Sequence, residues 1–298
     1  MAANREEMLL VQKISQIHDR ISKLPSLTPS QQVNELFAEL VLTCIPPISI
    51  DVSKLCNEAQ EMRRNLIKLC GEAECLLESH FSDVLASFDN PLDHLHLFPY
   101  YSNYLKLSHL EFTLLSRHAP SPPARAAFVG SGPLPLSSLV LAVRHMPAAE
   151  LHNYDVDPAA NSRARRLVRG DPGAAARLAF HTADVLSVTD ELGAYDVVFL
   201  AALVGVGREE KVRAVEHLAR HMAPGAILVA RSAHGARAFL YPVVKAADMK
   251  GFEVLTVYHP VDEVINSVVV ARKTHGEHEA AGGRQAARSS RGFASAAR

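Results

Sequence analysis

The pattern of apolar positions divides the chain into two parts. Before about residue 119, apolar side chains recur at spacings of three and four residues, which predicts amphipathic helices. The first such series is Leu10, Ile14, Ile17 and Ile21. Beyond residue 125, short apolar runs alternate with polar segments, as in a sheet with buried strands. The proline-rich segment 119–125 separates the two patterns, so we expect a helical bundle domain over residues 1–119 and an α/β domain over 120–273.

The helical part contains further start and stop signals. Thr28-Pro-Ser-Gln31 has the form of a capping box with proline at the first helical position, and Pro46-Pro47 ends the helix that follows. Apolar periodicity predicts another helix running from Leu55 toward Leu77, and one more between Phe98 and Leu115. This domain is therefore expected to consist of several helices.

Seven β-rich runs follow the linker. The first contains Phe128–Val129. The other six fall in segments 151–157, 178–184, 195–203, 223–230, 252–257 and 266–271. Helical segments are expected between the first five runs, and the last two form a closing pair. This order is typical of the Rossmann-like fold of S-adenosylmethionine-dependent methyltransferases, with a seven-stranded, mostly parallel sheet, more than of an NAD dehydrogenase. The helical domain would then cover the sheet.

A glycine turn follows the first strand and indicates a nucleoside site. In such folds the backbone N–H groups of the turn face the ligand, and an acidic residue about 20 positions later binds a ribose hydroxyl. Asp155 is the better candidate for that acid and Asp157 the alternate. A glycine turn alone is weak evidence, since turns use glycine without any ligand. The predicted cofactor-binding residues are Gly130, Ser131, Gly132, Asp155, Asp157, Asp184, Leu200 and Ala201.

Composition excludes several other classes of protein. The 298-residue chain has a formal net charge of −1, which gives no electrostatic reason to expect nucleic acid. It shows neither a secretory leader nor an apolar run of the ~18 residues that a membrane span needs. The 4 cysteines are interpreted as thiols of a reducing compartment, so a cytoplasmic protein is expected. Residues 274–298 lack periodicity and are expected to form a disordered tail.

Five longer blocks resemble plant nicotianamine synthases. They are Asp89–His96, Phe98–Leu107, Phe128–Leu136, Tyr195–Gly205 and Arg231–Val244. The resemblance extends over about Glu6 to Lys273. It implies condensation of three S-adenosylmethionine molecules, by aminocarboxypropyl transfer, into the metal chelator nicotianamine with release of three 5′-methylthioadenosines. It implies no cofactor beyond this substrate and no required metal.

Phe128 stands where methyltransferases of this fold usually carry an acid, two residues before the first glycine. This departure counts against the main alternative, a small-molecule methyltransferase. The other alternative is a non-catalytic protein that holds a nucleoside or a metal. The pairs His94 with His96 and His217 with His221 have metal-ligand spacing, but neither is accompanied by a third ligand, so we predict no metal site.

The sheet motifs contain no evident general base, so the helical domain is expected to supply one. Glu72, Glu74, Glu78 and Glu111 are the carboxyl candidates, and tyrosines 100, 101 and 104 are the phenol candidates. The resemblance implies a glutamate and a tyrosine from this domain, and Glu78 with Tyr104 fits best. Each also has a purely structural interpretation, as a solvated carboxylate or a core aromatic. Arg231 is a candidate for binding a substrate carboxylate, with a structural role as the alternative.

Overall fold

The computed structural model describes residues 2–275, with side chains from residue 5 onward. Four helices make up the first part of the chain: α1 (Ala2–Ile21), α2 (Gln31–Cys44), α3 (Asn57–Leu85) and α4 (Tyr101–Ser116). The periodic positions of α1 are its buried face, since Leu10, Ile14, Ile17 and Ile21 are each at most 5% exposed. The predicted tail lies outside the described residues from position 276 onward.

The predicted start of helix α2 is two residues too early. A cap at Thr28 would make Pro29 the first helical residue, whereas the helix begins at Gln31. Ser30 has extended backbone angles, and its hydroxyl accepts a hydrogen bond from the N–H of Val33 at 3.3 Å. Serine satisfies the otherwise unpaired N–H groups of a helix start in this way, so Ser30 is the N-cap and Pro29 precedes it. The helix ends at Cys44, ahead of Pro46-Pro47 as predicted.

The second part of the chain forms one sheet with flanking helices. Its elements are β1 (Arg125–Val129), α5 (Leu136–Val140), β2 (Glu150–Asp155), α6 (Pro158–Val168), α7 (Pro172–Arg177), β3 (Leu178–Thr182), β4 (Val197–Leu200), α8 (Arg208–His221), β5 (Ile227–Ser232), β6 (Phe252–Tyr258) and β7 (Ser267–Lys273). The strand order is β3-β2-β1-β4-β5-β7-β6. Strands β1 to β5 are parallel, which confirms the predicted mostly parallel sheet, and β7 is antiparallel to both of its neighbours.

One connection differs from the expectation of a helix between each of the first five strands. Strands β3 and β4 are joined by two short 3₁₀ turns, Val185–Ser187 and Asp190–Ala194. Asp184 caps the first turn by accepting from the N–H of Leu186 at 2.9 Å. Two short turns, the first capped by Asp184, therefore stand between β3 and β4 in place of the predicted helix.

The two parts of the chain share their cores. Leu107, Leu114 and Leu115 of α4 belong to the same buried cluster as Phe128 of β1 and Phe199 of β4. Helices α1 to α3 form a second cluster, which includes Phe239 and Leu240 from the segment after β5. We propose loop 117–124 as the junction between the parts, although the apolar packing continues across it.

This packing sets α3 against the carboxyl ends of the strands. Parallel sheets of this kind bind ligands in the crevice at those ends, where the strand order reverses. In the present sheet the reversal falls between β1 and β4. Over the part of the chain that the structure describes, no helix combines the length and apolar character needed to cross a bilayer.

Candidate active site

A cavity of about 570 Å³ opens at the reversal point, between the strand ends and α3. Its walls are the glycine turn after β1, the end of β2, the loop 201–206 after β4, and one face of α3. Of the predicted cofactor-binding residues, all except Leu200 line this cavity. Leu200 is 1% exposed and belongs to a buried apolar cluster with Val129 and Val198, so its side chain does not line the cavity, whereas Ala201 does.

The glycine turn is constrained from two sides. Gly130 and Gly132 have φ values of 78° and 68°, a region that favours glycine. A side chain at Gly132 would place its Cβ 2.8 Å from Oε2 of Glu78. Between the glycines, the Ser131 hydroxyl is buried and has no hydrogen-bond partner among the described residues. Glycine therefore lets the turn and the α3 carboxyl approach each other closely.

The carboxylates of the three predicted acidic residues accept different backbone hydrogen bonds. Asp155 accepts from the N–H of Gly132 at 2.8 Å and from the N–H of Asp157 at 3.0 Å, so it ties the end of β2 to the glycine turn. Asp157 caps α6 through the N–H of Ala159, and Asp184 caps a 3₁₀ turn. Because each carboxylate oxygen can accept more than one hydrogen bond, Asp155 retains capacity for a ligand hydroxyl.

Glu78 and Tyr104 lie together at the covered side of the cavity, and two further residues join them. The hydroxyl of Tyr104 lies 3.0 Å from Oε1 of Glu78 and 3.1 Å from Oε1 of Glu74. Tyr241 donates to the other oxygen of Glu74 at 3.0 Å. The phenol proton is shared between the two carboxylate oxygens when both are ionised, and when one carboxyl is protonated it can donate to the phenol oxygen instead. The cluster is thus arranged to hold a shared proton.

The electrostatics of this cluster agree with its geometry. Burial raises the pKa of Glu78 well above its usual value, and the charge of Glu74 raises it further, while the hydrogen bond from Tyr104 lowers it. Burial likewise raises the pKa of Glu74, against the hydrogen bonds of Tyr241 and Tyr104. Two buried carboxyls that share a site titrate as a pair, and the charge of one disfavours ionisation of the other. The pair is therefore expected to accept and release a proton above the ordinary glutamate range.

The edge of the Arg231 guanidinium formed by Nε and Nη2 already binds protein groups, so it is not free for a ligand carboxylate. Its Nε and Nη2 bind the two oxygens of Glu111 at 2.7 and 3.0 Å, and Nη2 also donates to Ser137 Oγ at 2.6 Å. Burial alone would lower the pKa of Arg231, but the charge and hydrogen bonds of Glu111 outweigh it and raise the pKa. The bidentate pairing predicted for a substrate carboxylate is therefore made with Glu111.

This ion pair also changes the role expected of Glu111. Its carboxylate is held by Arg231 and does not line the cavity, so the geometry does not favour Glu111 as a general base. Arg231 lines the cavity, and its Nη1 makes no hydrogen bond to any described residue, so one edge of the guanidinium remains for a ligand. The guanidinium carbon lies 5.3 Å from the ring centre of Phe128, the residue that replaces the usual acid.

Sequence reasoning missed two residues at the site. Tyr241 lies within a quoted block, but nothing local distinguishes it from a core aromatic. Lys211 is 2% exposed, and its Nζ donates to the carbonyls of Ala201 at 2.9 Å and Ala202 at 2.8 Å. Burial lowers the pKa of Lys211 to about 7. It fixes the loop that forms one wall of the cavity, although its sequence, within a charged run, is typical of an exposed helix start.

Over residues 2–275 no group of three or more histidine, cysteine, aspartate or glutamate side chains is arranged to hold a metal ion. The two histidine pairs have other contacts. His217 is buried with Nε2 2.6 Å from the carbonyl of Val188, and His94 stacks on Phe88.

The family model described as "Nicotianamine synthase protein" matches residues 2–278. The chain belongs to the nicotianamine synthase family. Nicotianamine synthase 9 of Hordeum vulgare is 65% identical over 271 residues, which cover 90% of this chain and 80% of the barley protein. Nicotianamine synthase 3 of Oryza sativa subsp. indica is 64% identical over 268 residues, covering 89% and 78%. The resemblance inferred from the five blocks is thereby confirmed.

The fold of this nicotianamine synthase family member matches solved structures of MtNAS. The crystal structure of MtNAS in complex with MTA and tNA superimposes with a TM-score of 0.75 at 24% identity, covering 89% of this chain and 98% of that chain. A glutamate-to-glutamine mutant of MtNAS in complex with S-adenosylmethionine gives a TM-score of 0.72 at 22% identity. At these identities the likeness establishes the Rossmann-like fold with its helical cover.

Proposed function

We propose that the cavity between the sheet and α3 binds S-adenosylmethionine and catalyses three attacks of an amine on the γ-carbon of an aminocarboxypropyl group, two that join molecules and one that closes an azetidine ring, to form nicotianamine. Family membership indicates this reaction. The structural observation that supports this reaction is one cavity in which a glycine turn and an acidic strand end face a buried carboxyl–phenol cluster. MtNAS forms crystalline complexes with S-adenosylmethionine and, separately, with MTA and tNA, which supports the same substrate.

In each transfer the lone pair of a neutral amine attacks the γ-methylene of the methionine arm. A bond forms between the amine nitrogen and Cγ, and the Cγ–S bond breaks. Its electron pair returns to the positive sulfur, so neutral 5′-methylthioadenosine leaves. We assign Glu78, in its carboxylate form, to take the proton that the amine loses, and Tyr104 to orient the amine. Glu74 and Tyr241 are positioning residues that hold Tyr104 and the shared proton.

The choice between methyl transfer and aminocarboxypropyl transfer depends on which carbon lies in line with the amine. A sulfonium has three electrophilic carbons, and the one held at near-attack distance reacts. We propose that Phe128 and the Arg231–Glu111 pair beneath it replace the acidic ligand that methyltransferases use, so the methionine arm adopts a different direction. The helical cover limits the access of water to the reactive sulfonium.

Incubation with S-adenosylmethionine as the only substrate tests this proposal. A nicotianamine synthase gives 5′-methylthioadenosine and nicotianamine. A methyltransferase of the same fold would give S-adenosylhomocysteine, and only after an acceptor is added. A non-catalytic binding protein would give neither product, so either of these results would refute the proposed activity.

Asp155→Ala is expected to weaken the binding of 5′-methylthioadenosine by about 1–3 kcal/mol, because a ribose hydroxyl loses a charged acceptor and the glycine turn loses an anchor. Calorimetric titration measures this. Asp171→Ala is the matched control, since Asp171 accepts a similar backbone hydrogen bond, from Ala174 at 2.9 Å, at the start of α7 and away from the cavity. An unchanged Kd in Asp155→Ala would remove the ribose-binding role from this residue.

The pH dependence of turnover is expected to show an acid limb above the ordinary glutamate range. The base must be unprotonated, so activity falls as the pH drops through its raised pKa. The Tyr104 hydrogen bond lowers that pKa, so Tyr104→Phe should raise it and move the limb to higher pH. Tyr101→Phe is the control, because its hydroxyl contacts Arg144 and neither glutamate. A limb that stays in place or moves to lower pH in Tyr104→Phe would contradict the assigned contact.

A further inference from the structure

A second cavity, of about 390 Å³, lies on the far side of the carboxyl–phenol cluster. It is lined by α2, α3, the start of α4, the segment after β5 and the segment that leads into β7. Four residues line both cavities: Glu74, Tyr104, Tyr241 and Asn266. The two spaces therefore meet at the residues that surround the proposed shared proton.

Asn266 is the one member of this group that the proton-sharing cluster does not use. It directly precedes β7, whose first residue, Ser267, pairs with Ser232 at the end of β5. Its side chain is 7% exposed, and its Nδ2 has no hydrogen-bond partner among the described residues. Burying an amide donor without a partner is unfavourable, so such a group calls for a ligand or another explanation.

The chemistry of the site indicates which ligand this amide would bind. An asparagine amide donates to carboxylates and accepts from ammonium groups, so it complements an α-amino-carboxylate. S-adenosylmethionine carries that group, and so does every product of aminocarboxypropyl transfer. The nearby protein carboxyl, Glu74, already accepts from Tyr241 and contacts Tyr104. Nη1 of Arg231 offers a positive partner in the first cavity.

We infer that Asn266 is a specificity-determining residue that binds the α-amino-carboxylate of a substrate molecule where the two cavities meet. This inference rests on the proposed aminocarboxypropyl transfer. It assigns to Asn266 the selection of that molecule and its alignment relative to Glu78. The nucleoside half of the substrate is held by other residues, so its affinity does not depend on Asn266.

The test uses Asn266→Leu, which keeps the approximate side-chain volume and removes the amide, with Asn266→Ala as a second variant in case leucine prevents folding. The rate of nicotianamine formation at low substrate is expected to fall about 10- to 100-fold, while the Kd for 5′-methylthioadenosine stays within about twofold. The Tm is expected to stay the same or rise, because no intramolecular hydrogen bond is lost. Asn103→Ala is the matched control, since Asn103 also lines the second cavity but already donates to the carbonyl of Glu263 at 2.6 Å.

S-adenosylhomocysteine distinguishes the two possible sources of the amino-carboxylate. Weaker binding of this compound by the variant places the group on the nucleoside-bearing molecule. Unchanged binding, together with release of shorter condensation products, places it on the accepting molecule.

A folded variant with wild-type turnover, product ratio and S-adenosylhomocysteine affinity overturns the inference while the proposed function stands. A marked fall in Tm that accounts for the lost activity would show a structural role and also overturn it. If the wild-type protein forms no 5′-methylthioadenosine, the proposed function and this inference both fail.

Discussion

Glu78→Gln is expected to reduce the rate of nicotianamine formation by about 10²–10⁴-fold while the Kd for 5′-methylthioadenosine changes by less than about twofold. Glutamine keeps the shape of the side chain and its approach to Gly132, but it cannot take a proton from the attacking amine. The nucleoside contacts of the glycine turn and Asp155 remain, so affinity is preserved. A loss confined to turnover would therefore identify the proton-accepting step.

The measurement is the initial rate of 5′-methylthioadenosine release, with chromatography of the shorter condensation products. A slow base gives partly condensed intermediates more time to dissociate, so these products are expected to accumulate. Glu61→Gln is the control, because Glu61 is exposed on the same helix and lines neither cavity. Near-normal turnover in Glu78→Gln would contradict the assignment and would make Glu74 the next residue to test.

Glu111→Gln is expected to lower the free energy of unfolding by about 3–5 kcal/mol. Glu111 is 1% exposed and binds Arg231 through both oxygens, so the substitution leaves a buried guanidinium without its counter-charge. Adding Arg231→Met should recover much of this stability, because no unpaired charge then remains in the core. Activity should stay low in both variants, since Arg231 loses its anchor in the first and is absent from the second.

Denaturant unfolding measures these stabilities. Glu39→Gln is the control, because Glu39 pairs with Arg20 at the protein surface and exposed ion pairs contribute little. If Glu111→Gln were as stable as the control, the buried pair would have no structural role, and Glu111 would return as a candidate for proton transfer.

The elements that could be predicted from the sequence are those with local signals. The glycine turn and Asp155 follow from a strand, a turn and an acid within one βαβ unit, and the structure joins them by a hydrogen bond across 23 positions. The capping of α2 was misplaced by two residues, because serine and threonine are both good caps and only the backbone angles decide between them.

The site contacts that sequence reasoning did not find are long-range. Glu74 and Tyr241 are 167 positions apart, and Glu111 and Arg231 are 120 apart. No periodicity or motif connects such pairs, so Glu111 and Arg231 were each interpreted as facing a ligand when they face each other. Lys211 was missed for a related reason, since a charged run predicts an exposed helix start and its burial follows only from how α8 packs under the loop after β4.

The proposed reaction breaks the Cγ–S bond of S-adenosylmethionine and leaves the S–CH₃ bond intact. The most direct test supplies the wild-type protein with S-adenosylmethionine that carries ¹³C at the methyl carbon and at the carboxyl carbon, and follows both labels by mass spectrometry. We expect the methyl label to stay entirely in 5′-methylthioadenosine and nicotianamine to carry three labelled carboxyl carbons, with three 5′-methylthioadenosines per nicotianamine. Methyl label in any condensed product, or S-adenosylhomocysteine as the nucleoside product, would contradict it.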